Sequence, residues 1–241
     1  MTPKLENSYD FNFCFPVAET LENDRLKLVP FNPNIYTGEL LTQLQANKQV
    51  FQYLPYGPFH TIDEFNDFFD LRFRRDPNSL LFIIYDKTKS SPGNNHVLAG
   101  TIGLLNGSVI NLVVEIGHIM ILPTFQRTHV TSNAVGLLLH YCLDVPSAGG
   151  LGLRRVAWQA DAINNKSINA AERMGFRLEG ILRWDRVLPP SRISAMNWDG
   201  VRKEDPKPSH PGRHTAMLSH CWDDWENGGR QRVDQMMARL A

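Results

Sequence analysis

The order in which two periodicities alternate between Leu112 and Ala160 constrains this chain more than any other feature. Leu112 to Leu122 is a long run of apolar and β-branched residues that ends at Pro123, the pattern of a central strand. Val130, Ala134, Leu137, Leu138, Tyr141 and Cys142 then fall at i, i+4, i+7, i+8, i+11 and i+12, one face of a helix. Gly149, Gly150 and Gly152 end that pattern, and Val156, Trp158 and Ala160 alternate with Arg155, Ala157 and Gln159 as another strand. Strand, helix and strand in this order make a βαβ unit at the middle of the chain.

The flanks read as an antiparallel frame around that unit. Leu26 to Val29 alternates as a first strand, and Pro30 and Pro33 bracket a turn into a helix around Ile35 to Lys48. Tyr53 to Phe59 is a connecting loop broken by two prolines and a glycine. Ile62, Phe65, Phe69 and Phe73 follow helical spacing, with Thr61 or Asp63 as the cap. Leu80 to Tyr85 and Val97 to Leu105 form a hairpin across the polar cluster Ser90 to Asn95. A short helix begins at Asn164, turns Ile168, Ala171 and Met174 inward, and is closed by Gly175 in the left-handed conformation. Phe176 to Ile181 and Thr215 to Trp222 read as the last two strands, before a polar helical tail with Val233, Met236, Met237 and Leu240. The predicted fold is a single α/β (α+β) domain whose mixed, mostly antiparallel sheet has about seven strands and about four flanking helices. Residues 1–25 are expected to be an arm packed over the surface without an element of its own, residues 26–241 the domain, and residues 184–212 a long insertion loop.

Composition narrows the function. Of 241 residues, 42% are hydrophobic, enough for a real core. Lys plus Arg equals Asp plus Glu at 25 each, so no global field draws in nucleic acid or an anionic membrane, and a phosphorylated ligand needs a dedicated pocket. No segment approaches the roughly 20 apolar residues of a membrane span, and the first ten residues lack the apolar core of a signal peptide; a cytoplasmic protein is expected. Cys14, Cys142 and Cys221 are too widely spaced for a zinc site and read as small buried hydrophobes, so no metal is expected.

Chemistry concentrates in two segments. In the first, the central strand carrying Glu115-Ile116-Gly117 passes through a short loop into the helix at Val130. Such a turn aims free backbone N–H groups and the positive end of the helix dipole at one spot, a ready place for a pyrophosphate. Arg127 either adds a charge-assisted bond there or is a surface arginine on an ordinary loop. The second segment runs from Asn164-Asn165 through Ser167 to Gly175-Phe176 and Arg183. Together these segments resemble the GNAT N-acetyltransferases, in particular the branch with RimJ/RimL-like enzymes, over roughly Leu26 to Trp225. Tyr53-Leu54-Pro55 and Gly57-Pro58-Phe59 are similar to that branch's helix connection.

The resemblance implies acetyl-coenzyme A as cosubstrate. Met120, Ile121 and Leu122 would offer backbone to the thioester, with an N–H near Met120 or Ile121 meeting the charge that develops on its oxygen. Gln126, Arg127, Thr128, His129, Val130 and Thr131 would cradle the pyrophosphate, and Asn164 and Ser167 the pantetheine arm. The loop departs from the family pattern, which places glycine at His129 and a small residue at Thr131. Side chains there either crowd the pyrophosphate or turn outward while backbone amides bind. Glu115 corresponds to the acidic general base of many relatives; its alternative is a structural pairing with an arginine. Ser167 would protonate the leaving thiolate, and Asn164 has an ordinary N-cap as its alternative. His118, by strand alternation, is expected on the face opposite Glu115, as a proton relay or a core histidine. Tyr53, Tyr56 and Trp184 line the acceptor pocket or belong to the core.

The function expected is transfer of an acetyl group from acetyl-coenzyme A directly to a primary amine of a small molecule. Two alternatives stand beside it: a RimJ/RimL-type acetyltransferase of protein N-termini, and a non-catalytic acyl-coenzyme A-binding protein, suggested by the missing loop glycines. The expected partner is a small amine, with no nucleic acid and no membrane; monomer and homodimer are both open.

Overall fold

Alternation along Leu26–Pro30 buries Leu26, Leu28 and Pro30, and this strand, β2, pairs antiparallel with β3, Leu80–Asp86. The structure is a computed structural model and describes residues 9–90, 96–190 and 200–239. Residues 91–95, most of the Ser90 to Asn95 cluster, therefore lie outside the described residues, as do 191–199 of the insertion and Leu240. The hairpin continues into β4, Val97–Ser108, and β5, Val113–Ile121. β5 pairs parallel with β6, Arg155–Asp161. β8, Gly212–Cys221, then inserts antiparallel between β6 and β7, Arg177–Val187. With β1, the two-residue strand Leu21–Glu22, the sheet has eight strands in the order β1-β2-β3-β4-β5-β6-β8-β7. The predicted mixed, mostly antiparallel sheet is the one found, with one strand more than expected.

Several boundaries differ from the sequence reading, among them the start of β8 at Gly212, inside the expected insertion, and two have clear physical reasons. The arm does form an element, because Leu21 and Glu22 pair with Leu28 and Lys27, and a two-residue strand has no periodicity to read. Phe15 in the same arm is buried. β7 runs past Ile181 to Val187, so Trp184 to Val187 belong to a strand and not to the insertion. This is an edge strand exposed along most of its length, so its alternation carries no hydrophobic signal.

The helices cover both faces of the sheet. α1, Pro33–Ala46, starts on Pro33 with Asn32 as N-cap. α2, Ile62–Phe69, has Thr61 Oγ1 accepting from Glu64 N at 3.1 Å and runs into a wider turn, Asp70–Arg74. This pair lies over one face: Tyr85 donates to Glu39 of α1 at 3.3 Å, and Phe73 meets His118 of β5 at 4.9 Å between ring centroids. α3, His129–Leu143, and α4, Asn165–Arg173, lie over the other, where His129 faces Asp86 at 3.4 Å and Trp158 donates to Ser167 at 3.0 Å. Gly175, at φ +90°, closes α4 in a Schellman motif, with Gly175 N–H on Glu172 O and Phe176 N–H on Ala171 O, both 3.1 Å. After β8 come the single turn α5, Trp222–Asp224, and α6, Arg230–Ala238. The tail is latched to α3 through Trp225 Nε1 and Arg230 Nε, which donate to Asp144 Oδ1 at 2.9 and 3.0 Å.

Candidate active site

The sheet opens where its two parallel strands stop pairing. β5 and β6 are in register only from Val113 opposite Arg155 to Ile116 opposite Trp158. Beyond that point Gly117 to Ile121 pairs with β4 alone, and Gln159 to Asp161 with β8 alone. A wedge between the two strands results. Leu122 N–H donates to Ala99 O at 2.9 Å, so strand alternation turns the Ile121 N–H the other way, into the wedge. The side chains of Met120, Ile121 and Leu122 are buried.

On the far side of the wedge, Asn164 caps α4 by accepting from Ser167 N at 3.1 Å through Oδ1. The N-cap alternative is thus what its oxygen does, while its side-chain nitrogen bonds to none of the described residues. Ser167 Oγ accepts from Trp158 Nε1, so its own proton is free to point elsewhere.

The loop that ends the wedge shows how it does without glycine. Gln126 Nε2 donates to Ile121 O at 2.9 Å, tying the loop to the end of β5. Arg127 takes the left-handed conformation at φ +61° and is exposed. Thr128 caps α3, with Val130 N donating to Oγ1 at 3.3 Å and Oγ1 donating to Phe125 O at 2.6 Å. His129, where the family pattern has glycine, neither crowds the loop nor turns outward. Its ring is buried against Asp86, and burial holds its pKa below the usual imidazole value. Val130 is buried and Thr131 half-buried in the first turn of α3, whose N–H groups have no earlier helical carbonyl to meet.

Glu115 lies on the α1/α2 face at the root of the wedge, 5% exposed. Its Oε2 accepts from Asn106 Nδ2 at 2.7 Å. Burial raises its pKa above the ordinary carboxylate range, against the opposing pull of Asn106, Arg186, Arg72 and Arg213. Among the described residues no arginine comes within ion-pair distance of it, so the structural pairing is not found.

His118 is not on the opposite face. Thr101 pairs with Met120 and Gly103 with Gly117, so two steps of β4 face three of β5, and His118 sits in this bulge at φ +48°. The extra residue resets the alternation: a Cβ on Gly103, which shares Glu115's face, would lie 3.5 Å from His118 Cβ. Tyr56 stacks on the His118 ring at 4.7 Å and bonds Nδ1 through its hydroxyl, while Nε2 accepts from Arg72 Nε at 3.3 Å. An arginine only donates, so the imidazole proton sits on Nδ1. Burial, with Arg72 and Arg186 adding to it, pushes the His118 pKa down to about 3, and the ring is neutral near pH 7.

The structure thus brings together Glu115, His118 and Tyr56 on one side of the wedge, and the 120–131 backbone with Asn164 and Ser167 along it. Tyr53 is half-buried in the loop that carries Tyr56. Trp184 stands apart from them. It is 58% exposed, its ring meets His214 at 5.3 Å, and Gly212 and His214 face away from Arg213, Thr215 and Glu115. Asn106, Arg72, Arg186 and Arg213 were not singled out from the sequence. Register and turn geometry bring them to Glu115, and neither is written in a local pattern.

A family model described as "Acetyltransferase (GNAT) domain" matches residues 25–177, more than half of the chain. Among solved structures, a GCN5-related N-acetyltransferase from Brucella melitensis is 28% identical, with a TM-score of 0.72 over 92% of this chain and 87% of that one. A probable GNAT-family acetyltransferase from Chromobacterium violaceum is 24% identical, with a TM-score of 0.69 over 94% and 96% of the two chains. Spermidine N-acetyltransferase from Vibrio cholerae, solved with CoA and spermine, shares the fold at 16% identity and a TM-score of 0.60, over 85% of this chain and all (100%) of that one. No curated protein matches. None of the helices in the described residues is long and apolar enough to cross a membrane. The family model covers more than half of the chain and the fold agrees with it: the chain belongs to the GNAT acetyltransferases, as an acetyl-CoA-dependent N-acetyltransferase.

Proposed function

We propose that the protein acetylates the primary amine of a small molecule by direct transfer, with Glu115 as general base. The observation that carries this reading is a buried carboxylate of raised pKa at the root of the wedge between β5 and β6. Acetyl-CoA supplies the activated acetyl thioester. A primary amine near the lysine reference pKa of about 10.4 loses its proton at pH 7 at a cost of about 5 kcal/mol, so a group must accept that proton. Glu115 does so directly or through one water, and its raised pKa makes it a stronger base than an exposed carboxylate.

As the amine nitrogen bonds to the acetyl carbon and the carbon–sulfur bond breaks, the Ile121 N–H faces the carbonyl oxygen where negative charge grows. The Ser167 hydroxyl, fixed by Trp158, offers its proton to the departing sulfur. Thiols near pKa 8.5 leave with little help, so this contribution is small. The backbone of residues 126–131, with Arg127, holds the pyrophosphate, and Asn164 Nδ2 the pantetheine amides. Tyr56 and His118 form the wall that the acceptor passes, and the 5% exposure of Glu115 favours a slender amine over a folded protein terminus.

Glu115→Gln tests the reading. Single-turnover rates of amine acetylation should fall about 10²- to 10⁴-fold while acetyl-CoA affinity stays within a factor of about two. An unchanged rate would remove Glu115 from the mechanism.

A further inference from the structure

Arg213 is a buried charge with nothing to hold. It is 5% exposed, its Nε is sealed from solvent without a hydrogen bond, and it makes no hydrogen bond or ion pair with any described residue. Buried charges are ordinarily paired, because desolvating a guanidinium without a counter-ion costs several kcal/mol. Its position compounds the cost. Arg213 of β8 lies directly opposite Arg186 of β7, a cross-strand pairing of like charges that destabilises a sheet. Burial and then Arg186 depress the Arg213 pKa.

The surrounding carboxylates do not resolve this. Asp185 is occupied by Thr215 Oγ1 at 2.7 Å and Arg186 Nε at 3.3 Å. Asp161 accepts from Ile163 N at 3.1 Å, and Glu115 from Asn106. All three act on Arg213 only at longer range. Alternation along β8 places Arg213 with Thr215, which pairs with Asp161 of β6, on the face that carries Glu115. Arg186 is fixed there too, donating to Gln159 at 2.8 Å.

We infer that Arg213, backed by Arg186, is the anion subsite of the acceptor pocket, so the amine substrate carries a carboxylate or a phosphate. The inference rests on the amine-acetylating reading of this cleft and deepens it by giving the acceptor a charge. An anion between the two arginines relieves their repulsion and gives the buried Arg213 guanidinium a partner at once. Planar, forked donors suit both oxyanions, and the same arrangement repels a polycation. The acceptor class is therefore amino acids or phosphorylated amino sugars, and a polyamine is excluded.

Two measurements on wild type and Arg213→Met decide it. In thermal melts at constant ionic strength, sodium phosphate or sodium acetate should raise wild type above its chloride value by more than it raises the variant, whose 126–131 loop is intact; the unliganded variant should melt above unliganded wild type, its like-charge pair being gone. In turnover with acetyl-CoA, amino acids are compared with their amides, phosphorylated amino sugars with their unphosphorylated forms, and both with spermidine. Wild type should prefer the anionic member of one pair at least about tenfold in kcat/KM, and the pair that shows it identifies carboxylate or phosphate. Arg213→Met should raise the KM of that substrate about 10- to 100-fold, with the acetyl-CoA KM within about twofold. Preference for spermidine or for the neutral members would overturn the inference, as would a variant that loses acetyl-CoA affinity but keeps its amine selectivity. If no amine is acetylated, the catalytic reading fails, and the melts still decide the subsite: equal anion shifts in both proteins would refute it.

Discussion

Glu115 is a carboxylate placed where water is scarce, and its titration should be visible in the rate. Its pKa is raised, so the basic form is lost as pH falls through a value above the ordinary glutamate reference of about 4.3; the acid limb of kcat/KM should lie above that value. The amide of Asn106 pulls the other way, holding the pKa down. Asn106→Gly keeps the left-handed backbone at φ +53° and removes the amide, and a pH–rate profile should show the acid limb displaced upward. The same shift has a sign in stability. A carboxyl group whose pKa rises on folding contributes stability below its unfolded pKa and loses it as pH rises through its folded one. Glu115→Gln, which cannot ionise, should therefore melt above wild type at pH 8 and gain less at pH 4. His118, neutral down to about pH 3, is not the source of any limb near pH 6. Glu115, Asn164 and Ser167 could be singled out as candidates because their segments match a motif. The face of His118 was not, because one extra residue in β5 inverts the alternation from which it was read.

At the scale of elements, the ends of helices decide whether the wedge keeps its walls. Gly175→Ala should cost at least about 1–2 kcal/mol in chemical denaturation, since L-residues pay that much in the left-handed region. The new Cβ would also stand 2.8 Å from the His220 ring. Thr128→Ala removes the cap of α3 and should cost about 1 kcal/mol. The same change frees the Phe125 carbonyl from the Thr128 hydroxyl and should weaken acetyl-CoA binding, measured by titration, through a looser loop. Helices α1 to α4 and the strands from β2 to β6 were readable because each has a buried face and a punctuating Pro, Gly or Asn. β1 and the outer half of β7 were not. A two-residue pairing and a mostly exposed edge strand leave no hydrophobic period, although β7 carries Arg186 into the site.

For the whole molecule, element order was legible and relative placement was not. Nothing in the sequence of β5 or β6 marks Ile116 and Trp158 as the last paired residues, yet that point makes the opening. The tail packs at a distance from it: Trp225 is buried against His140 and His220 while bonding Asp144. Trp225→Ala should destabilise the fold by about 3–5 kcal/mol, read by denaturant unfolding. The central claim is that this opening and the glycine-free loop beside it hold acetyl-CoA. Calorimetric titration of the full chain with acetyl-CoA, with desulfo-CoA as control, tests it most directly. Micromolar binding of both, weakened about tenfold or more by Arg127→Ala, is the expected result, whereas no heat of binding up to millimolar concentration would contradict the claim.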